Sequence, residues 1–306
     1  MQSIKINATG EIEEQTIDRR AVAKEFGMHV RDLRPVFTFR QLATISSRGK
    51  GIILNFGVIK MVIGADKTYI FNVGNQDVKG QLVPSIVAAI TNNEERVPYE
   101  FLLLEISLFH RFSKLRNEYE LLEKEIEISL QKAQKLLDDK SLEKLLNIKK
   151  KLSKFSTTVE ELEEILRDIL EDDAEMVDFY LSKEAPEDSD FSDLESVLEN
   201  FAEPAEEISN KLDDLRENIE DTQEFIGLKL SNRRNLIIRF DLVATMVTAI
   251  FSLLALITGI YGMNLRNNFG GGGDTGGFWF VAGLLFFIGL FLCALTWFWM
   301  KKKDIF

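Results

Sequence analysis

Asp241, Thr245, Thr248, Ser252, Ala255, Gly259 and Gly262 follow one another at intervals of 4, 3, 4, 3, 4 and 3, and all seven are small or polar. A repeat of about 3.5 residues places them on one continuous seam of a helix. The flanking positions, among them Val247, Ile250, Leu254, Ile257 and Tyr261, are apolar. Such a seam has two physical uses. Small residues let membrane helices approach closely. Several copies of the seam can also line a water-filled path, a use favoured by an ionisable residue at the membrane boundary. The same phase runs back through Ile238, Arg234, Ser231, Gly227, Glu224, Glu220, Glu217 and Asp213. The last four are acidic, as the vestibule of a cation path requires.

A second acidic group, Asp172, Asp173 and Glu175, sits in the run EDDAEMVDFYLSKEAPEDSDFSD over 171–193. Hard divalent cations take carboxylate oxygens, so these residues are candidates for a regulatory metal, as are Glu217, Glu220 and Glu224. A solvated connection accounts for the same composition, and no EF-hand spacing is present. The single cysteine, Cys293, rules out a disulfide framework or a cysteine-rich zinc site within one chain, and His29 and His110 are far apart. A formal net charge of −12 over 306 residues argues against nucleic acid as a partner and is compatible with attracting cations. No Walker loop or other nucleotide signature appears, so direct use of ATP is not expected. Nor is an enzyme expected, because no nucleophile–base pair stands out.

These residues need elements to hold them. Residues 1–97 read as a mixed α/β subdomain: strands in SIKIN and EIEEQTI around Ala8-Thr9-Gly10, a short helix in DRRAVAKEF ending at Gly27, then β-rich runs in GIILNFGVIKMVIGADKTYIFN. Residues 98–202 read as a helical subdomain. Phe101, Leu104, Leu108, Phe112, Leu115, Tyr119, Leu122, Ile126 and Leu130 make one stripe on a long helix that Pro98 opens. A second helix is expected over about 141–155, and a third carries Val159, Leu162, Ile165, Leu166 and Ile169. From Glu203 to Tyr261 one helix is predicted, with 203–241 as a stalk and 242–261 as a first membrane span. Residues 262–277 form a loop, 278–300 a second span and 301–306 a basic tail. Both spans are free of charge and long enough for a hydrocarbon core of about 30 Å. Trp279, Trp297 and Trp299 lie where interface aromatics belong.

Arg233, Arg234 and Arg239 precede the first span, and Lys301, Lys302 and Lys303 follow the second. The positive-inside rule then places both termini on the inner side, cytosol or matrix. The opening MQSIKINATGEIEEQ has no apolar run, so no secretory signal is expected, and Glu11, Glu13 and Glu14 suit a mitochondrial transit peptide poorly.

Gly262-Met263-Asn264 ends the first of two C-terminal spans, ahead of a short loop, one more span and a basic tail. In that setting the chain resembles the CorA superfamily of Mg²⁺ channels. VRDLR (30–34), GIILNFGVIKMVIGADKTYIF (51–71), PYEFLLLE (98–105) and DDAEMVDFYLSK (172–183) look like its Mrs2 branch, and the resemblance covers residues 28–306. It implies an α+β soluble N-terminal domain, a long helical bundle or stalk and two C-terminal transmembrane helices, assembled as a funnel-shaped homopentamer in a lipid bilayer. It also implies membrane-potential-driven Mg²⁺ uptake through one axial pore. Gly262, Met263 and Asn264 would form the selectivity filter, with Asn264 contacting hydrated Mg²⁺. Arg234 matches a basic position that narrows the pore in animal members. The acidic ring one turn further in falls on Ser231, so Asp241 is expected to take its place as the inner metal position. The loop departs from many members: Gly270 to Gly273 replace acids, leaving Asp274 with Arg266 nearby. Transport of Zn²⁺, Co²⁺ or Ni²⁺ is the nearest alternative, although the seam offers no His or Cys. A membrane-tethered coiled-coil scaffold would explain the helices but not the polar seam.

Overall fold

The computed structural model describes residues 2–38, 43–93, 97–136, 139–182, 191–262 and 275–302. The chain divides into two units, Met1–Thr222 and Gln223–Phe306. Met263, Asn264, Arg266, the glycine run, Asp274, Pro186 and Lys303 lie outside the described residues.

The first unit opens with a hairpin, β1 (Gln2–Asn7) and β2 (Ile12–Thr16). Gly10 makes its turn possible with φ +83°, and its amide donates to Asn7 O at 2.8 Å. Two short helices follow, α1 (Arg19–Glu25) and α2 (Arg34–Phe37). Then come β3 (Thr44–Arg48), β4 (Gly51–Asn55), β5 (Lys60–Ile63) and β6 (Lys67–Phe71). The strands form one antiparallel sheet in the order β2-β1-β6-β5-β4-β3. Both faces are covered, which is why GIILN and KMVI are apolar without alternation. Strand periodicity sends Ile52, Leu54, Met61, Ile63 and Ile70 to the main core, and Ile53, Val62, Tyr69 and Phe71 to a smaller one with Val22, Phe26, Leu33 and Val36.

Glu25, the last residue of α1, fastens that helix to β6. Lys67 Nζ lies 2.7 Å from its carboxylate and the Tyr69 hydroxyl donates to it at 2.9 Å. Burial pushes the Glu25 carboxyl up, but the bonds from Lys67 and Tyr69 outweigh it and hold it below its ordinary value of 4.5. A depressed folded-state value means a contribution fully present above the unfolded value and lost as pH falls through the folded one. Glu25→Gln is therefore expected to flatten the loss of stability below pH 4.5. Thermal unfolding of both forms across that range checks this, and identical acid limbs would refute it.

A π-helical turn (Val78–Leu82) leads into α3 (Val83–Thr91), and α4 (Tyr99–Leu136) and α5 (Asp139–Glu171) form a long hairpin. The α4 stripe read from the sequence is buried at Phe101, Leu104, Leu108, Phe112, Leu115, Leu122 and Ile126. Residues 139–171 are one helix where two were expected. Leu145, Ile148, Leu152, Ser156, Val159, Leu162, Leu166 and Ile169 are buried at unbroken spacings of 3 and 4, and no Gly or Pro interrupts them. After α6 (Asp173–Val177), α7 runs from Ser192 to Tyr261, 70 residues. It begins well before the expected start near Glu203, with Pro204 inside. A proline costs a helix interior about 3 kcal/mol. Here Leu194, Leu198 and Phe201 before it and Ala205, Ile208 and Leu212 after it share the main core, and Phe201 stacks on Phe112 at 5.3 Å. That burial outweighs the lost hydrogen bond.

Candidate functional site

The second unit consists of α7 beyond Thr222 and α8 (Thr275–Lys302). Each contains a stretch long and apolar enough to cross a membrane, and the most apolar window of α7 has no buried residue. Exposed Leu253, Leu256, Ile260, Phe286, Phe287 and Phe291 suit a lipid solvent, not the interior of a water-soluble fold.

The two helices meet along one face of α7. Between Leu242 and Ile260 the half-buried positions are Val243, Met246, Ile250, Leu254 and Ile257, spaced 3, 4, 4 and 3. At 100° per residue that stripe lies on the far side of the helix from Thr245, Thr248, Ser252, Ala255 and Gly259, all five of which are exposed. Packing against α8 therefore leaves the small polar seam open. This separates its two readings within one chain, because close contact with the adjacent span uses the other face.

The contact is tight at Gly289, the one buried residue described in α8. A Cβ there would lie 2.9 Å from Leu254 Cδ1. Gly289→Ala should be mild because the Leu254 tip can turn away, whereas Gly289→Val forces the helices apart. We expect the valine variant to lose most of its thermal stability margin in detergent, and Leu254→Ala to restore much of it. A valine variant as stable as the parent would remove the packing role. Cys293 also lies half-buried on α8, away from the seam.

Within the seam, Thr248 Oγ1 donates to Ala244 O at 2.8 Å, so this hydroxyl is satisfied while its helix face stays open. Asp241 and Arg234 are exposed, seven residues and about 10 Å apart along the axis. Earlier in the chain, Glu217 and Glu220 are exposed on the first unit, and Glu224 on the second. Lys149 on α5 reaches Glu220 at 2.9 Å, and that hydrogen bond lowers the Glu220 pKa. Asp172 caps α6, accepting from the amides of Ala174 at 2.9 Å and Glu175 at 3.3 Å. Asp173 and Glu175 form no ion pair among the described residues. Among the described residues of one chain, no three His, Cys, Asp or Glu side chains converge to hold a metal.

A family model described as "Magnesium transporter MRS2-like" matches residues 2–234. The chain belongs to the MRS2-like family. Magnesium transporter MRS2-7 of Arabidopsis thaliana is 25% identical over 319 residues, covering 86% of this chain and 82% of the relative. The mitochondrial inner membrane magnesium transporter MRS2 of Kluyveromyces lactis is 28% identical over 259 residues, covering 80% of this chain and 59% of the relative. Among solved structures, the CorA magnesium transporter from Methanocaldococcus jannaschii superposes with a TM-score of 0.61 at 18% identity, covering 96% of this chain and 97% of the other. Full-length CmaX superposes at 0.56 with 11% identity, covering 100% and 97%. The fold is therefore CorA-like: an N-terminal β-sheet domain, a long helix and two C-terminal apolar helices. The family match ends at Arg234, at the head of the seam, and the Gly262-Met263-Asn264 signature lies beyond it.

Proposed function

We propose that the chain conducts Mg²⁺ across a membrane through a pore formed by five copies of α7. The observation that carries this is the orientation of the seam: α8 covers the opposite face, and Thr245, Thr248, Ser252, Ala255 and Gly259 are left open for other copies. Membership of a magnesium transporter family and the CorA-like fold support the ion and the architecture. In this reading Asn264, with Gly262 and Met263, selects the hydrated ion at the outer mouth. Mg²⁺ dehydrates reluctantly and is held largely through its water. Gly259, Ala255, Ser252, Thr248 and Thr245 line the passage, Ile238 continues it, and Asp241 and Arg234 set the charge at its inner end. Both termini face the inner side. A potential negative on that side favours entry of a divalent ion by about 4.6 kcal/mol per 100 mV.

The test is Mg²⁺ influx into liposomes holding the purified chain. Uptake should rise with an inside-negative potential, and the detergent-solubilised protein should have about five times the 35.0 kDa subunit mass. A monomer or dimer would exclude the five-fold pore. Uptake of Zn²⁺, Co²⁺ or Ni²⁺ but not Mg²⁺ would reassign the ion.

Regulation follows from the same assembly. Five copies of Glu217, and separately five copies of Glu224, repel one another in the assembly, and inner Mg²⁺ relieves that repulsion and favours a closed state. Glu220 contributes less because Lys149 already holds it. Asp173 and Glu175 offer a second place for the regulatory ion. Millimolar inner Mg²⁺ is expected to lower both flux and protease sensitivity, the flux effect weakening in Glu217→Gln/Glu224→Gln. If inner Mg²⁺ changes neither readout in the parent, the sensing role is wrong.

A further inference from the structure

A basic cavity of about 620 Å³ opens at the sheet edge of the first unit, lined by residues of the α2 region and of β3 and β4. Arg31 and Arg34 approach from the α2 side and Arg48 from β3. Thr44 and Ser46 add hydroxyls, and Asn55, only 1% exposed, also lines the cavity, its Oδ1 accepting from the Gly57 amide at 3.0 Å. Thr44, Ser46 and Arg48 alternate along β3, so they share one sheet face, while Ser47 on the other face donates to Asp178 O. Asp32 is the one carboxylate among the described lining residues. It accepts from the His29 amide at 3.0 Å and lies 3.6 Å from Arg31 Nε. Arg34 and Arg48 have no carboxylate partner among the described residues.

A separate observation points the same way. Lys60, paired with Asn55 across β4 and β5, is 9% exposed. Its Nζ donates at 2.5 Å to the carbonyl of Thr38, which itself lines the cavity, and it has no carboxylate partner among the described residues. A buried ammonium whose partner among the described residues is a neutral carbonyl is costly. An anion in the adjoining cavity would offset that cost. Three guanidiniums and an ammonium against one committed carboxylate also run opposite to the −12 charge of the chain, so this is not a patch that gathers cations.

We propose that this cavity binds a small polyphosphate anion free of metal. Guanidinium forks pair bidentately with phosphate oxygens. Three of them around a space larger than one phosphate suit two or three linked phosphoryl groups. Mg²⁺ bound to the same oxygens competes with the arginines, so the site distinguishes uncomplexed polyphosphate from its Mg²⁺ complex. It therefore responds to chelator not yet loaded with Mg²⁺. The assignment stands on the first unit alone and does not depend on the pore.

The experiment is titration calorimetry on the full chain in detergent, without divalent ions, using inorganic tripolyphosphate, a nucleoside triphosphate and orthophosphate. Saturable binding of tripolyphosphate, one per subunit, is expected, weakening with salt and with excess Mg²⁺. Similar affinity for the nucleotide assigns recognition to the phosphates, and orthophosphate should bind at least about tenfold more weakly. Arg34→Gln and Arg48→Gln change exposed side chains, so they should keep the parent's mass and thermal transition while weakening tripolyphosphate at least about tenfold. Lys60→Met should reduce the thermal shift that tripolyphosphate gives the parent. Absence of saturable binding to the parent, or equal binding by parent and both arginine variants, overturns the proposal. So does loss of the oligomer in the arginine variants without any binding by the parent, which would make the cavity a subunit contact.

Discussion

Asn264→Ala is expected to abolish Mg²⁺ uptake into liposomes while the assembly keeps its size. In the proposed pore this substitution removes a ring of five amide groups from the outer mouth, where they replace bulk water around the ion's hydration shell. A site that handles a hydrated divalent ion depends on such dipoles being held in place. Losing about 1.4 kcal/mol of favourable interaction along the path slows passage about tenfold, and five amides exceed that, so the residual flux should be below about a tenth of the parent. Assembly should survive, because Asn264 lies beyond the apolar run that packs against α8. The readouts are flux and detergent mass on one preparation. Parental flux in a correctly assembled Asn264→Ala protein would remove Asn264 from the filter.

The second large effect concerns the charges at the N-terminal end of the seam, where Asp241→Asn should lower the flux and Arg234→Ser should raise it. Both residues are exposed on α7 and lie on one face, about 10 Å apart along the axis. In a five-fold assembly each becomes a ring of like charges. Even at the dielectric of bulk water, a divalent ion about 8 Å from a single carboxylate gains about 1 kcal/mol, before screening by salt. Five such carboxylates make the Asp241 ring a favourable station, and five guanidiniums make the Arg234 ring a barrier. Changes of about tenfold in opposite directions are expected at low ionic strength, shrinking as salt is added. An arginine turned outward to lipid headgroups would give no increase. Unchanged flux in both variants would place both side chains off the axis.

Much of the architecture was legible because helical periodicity is local. The α4 stripe from Phe101 to Ile126, the two apolar spans and the seam from Asp241 to Gly262 each follow from spacing along a few turns, without knowledge of any neighbour. The membrane spans were legible for a related reason: an uncharged stretch of that length has few stable places in water. Local signals failed where distant packing overruled them. A helix start near Glu203 was expected, yet α7 begins at Ser192 and runs through Pro204 because residues on both sides join one core. The break expected after residue 155 does not occur, because the buried stripe of α5 continues through Ser156 and Val159. Strand β3, with the polar sequence TISSR, gave no apolar signal, and it is held by pairing with β4.

By itself, then, the sequence determined the α4 stripe, the membrane spans, the small polar seam and the signature that ends it, since each depends on residue type and short-range spacing. Only the tertiary structure decided which face of α7 meets α8, because Gly289 and Leu254 are far apart in the chain and their fit depends on how two helices pack. It also decided that Arg31, Arg34, Arg48 and Asn55 line one cavity beside Lys60, an arrangement set by antiparallel register and by α2 packing on the sheet. Charges scattered along 30 residues carry no joint meaning until strand pairing brings them to one face, because Coulomb attraction and desolvation depend on distance through space, not along the chain.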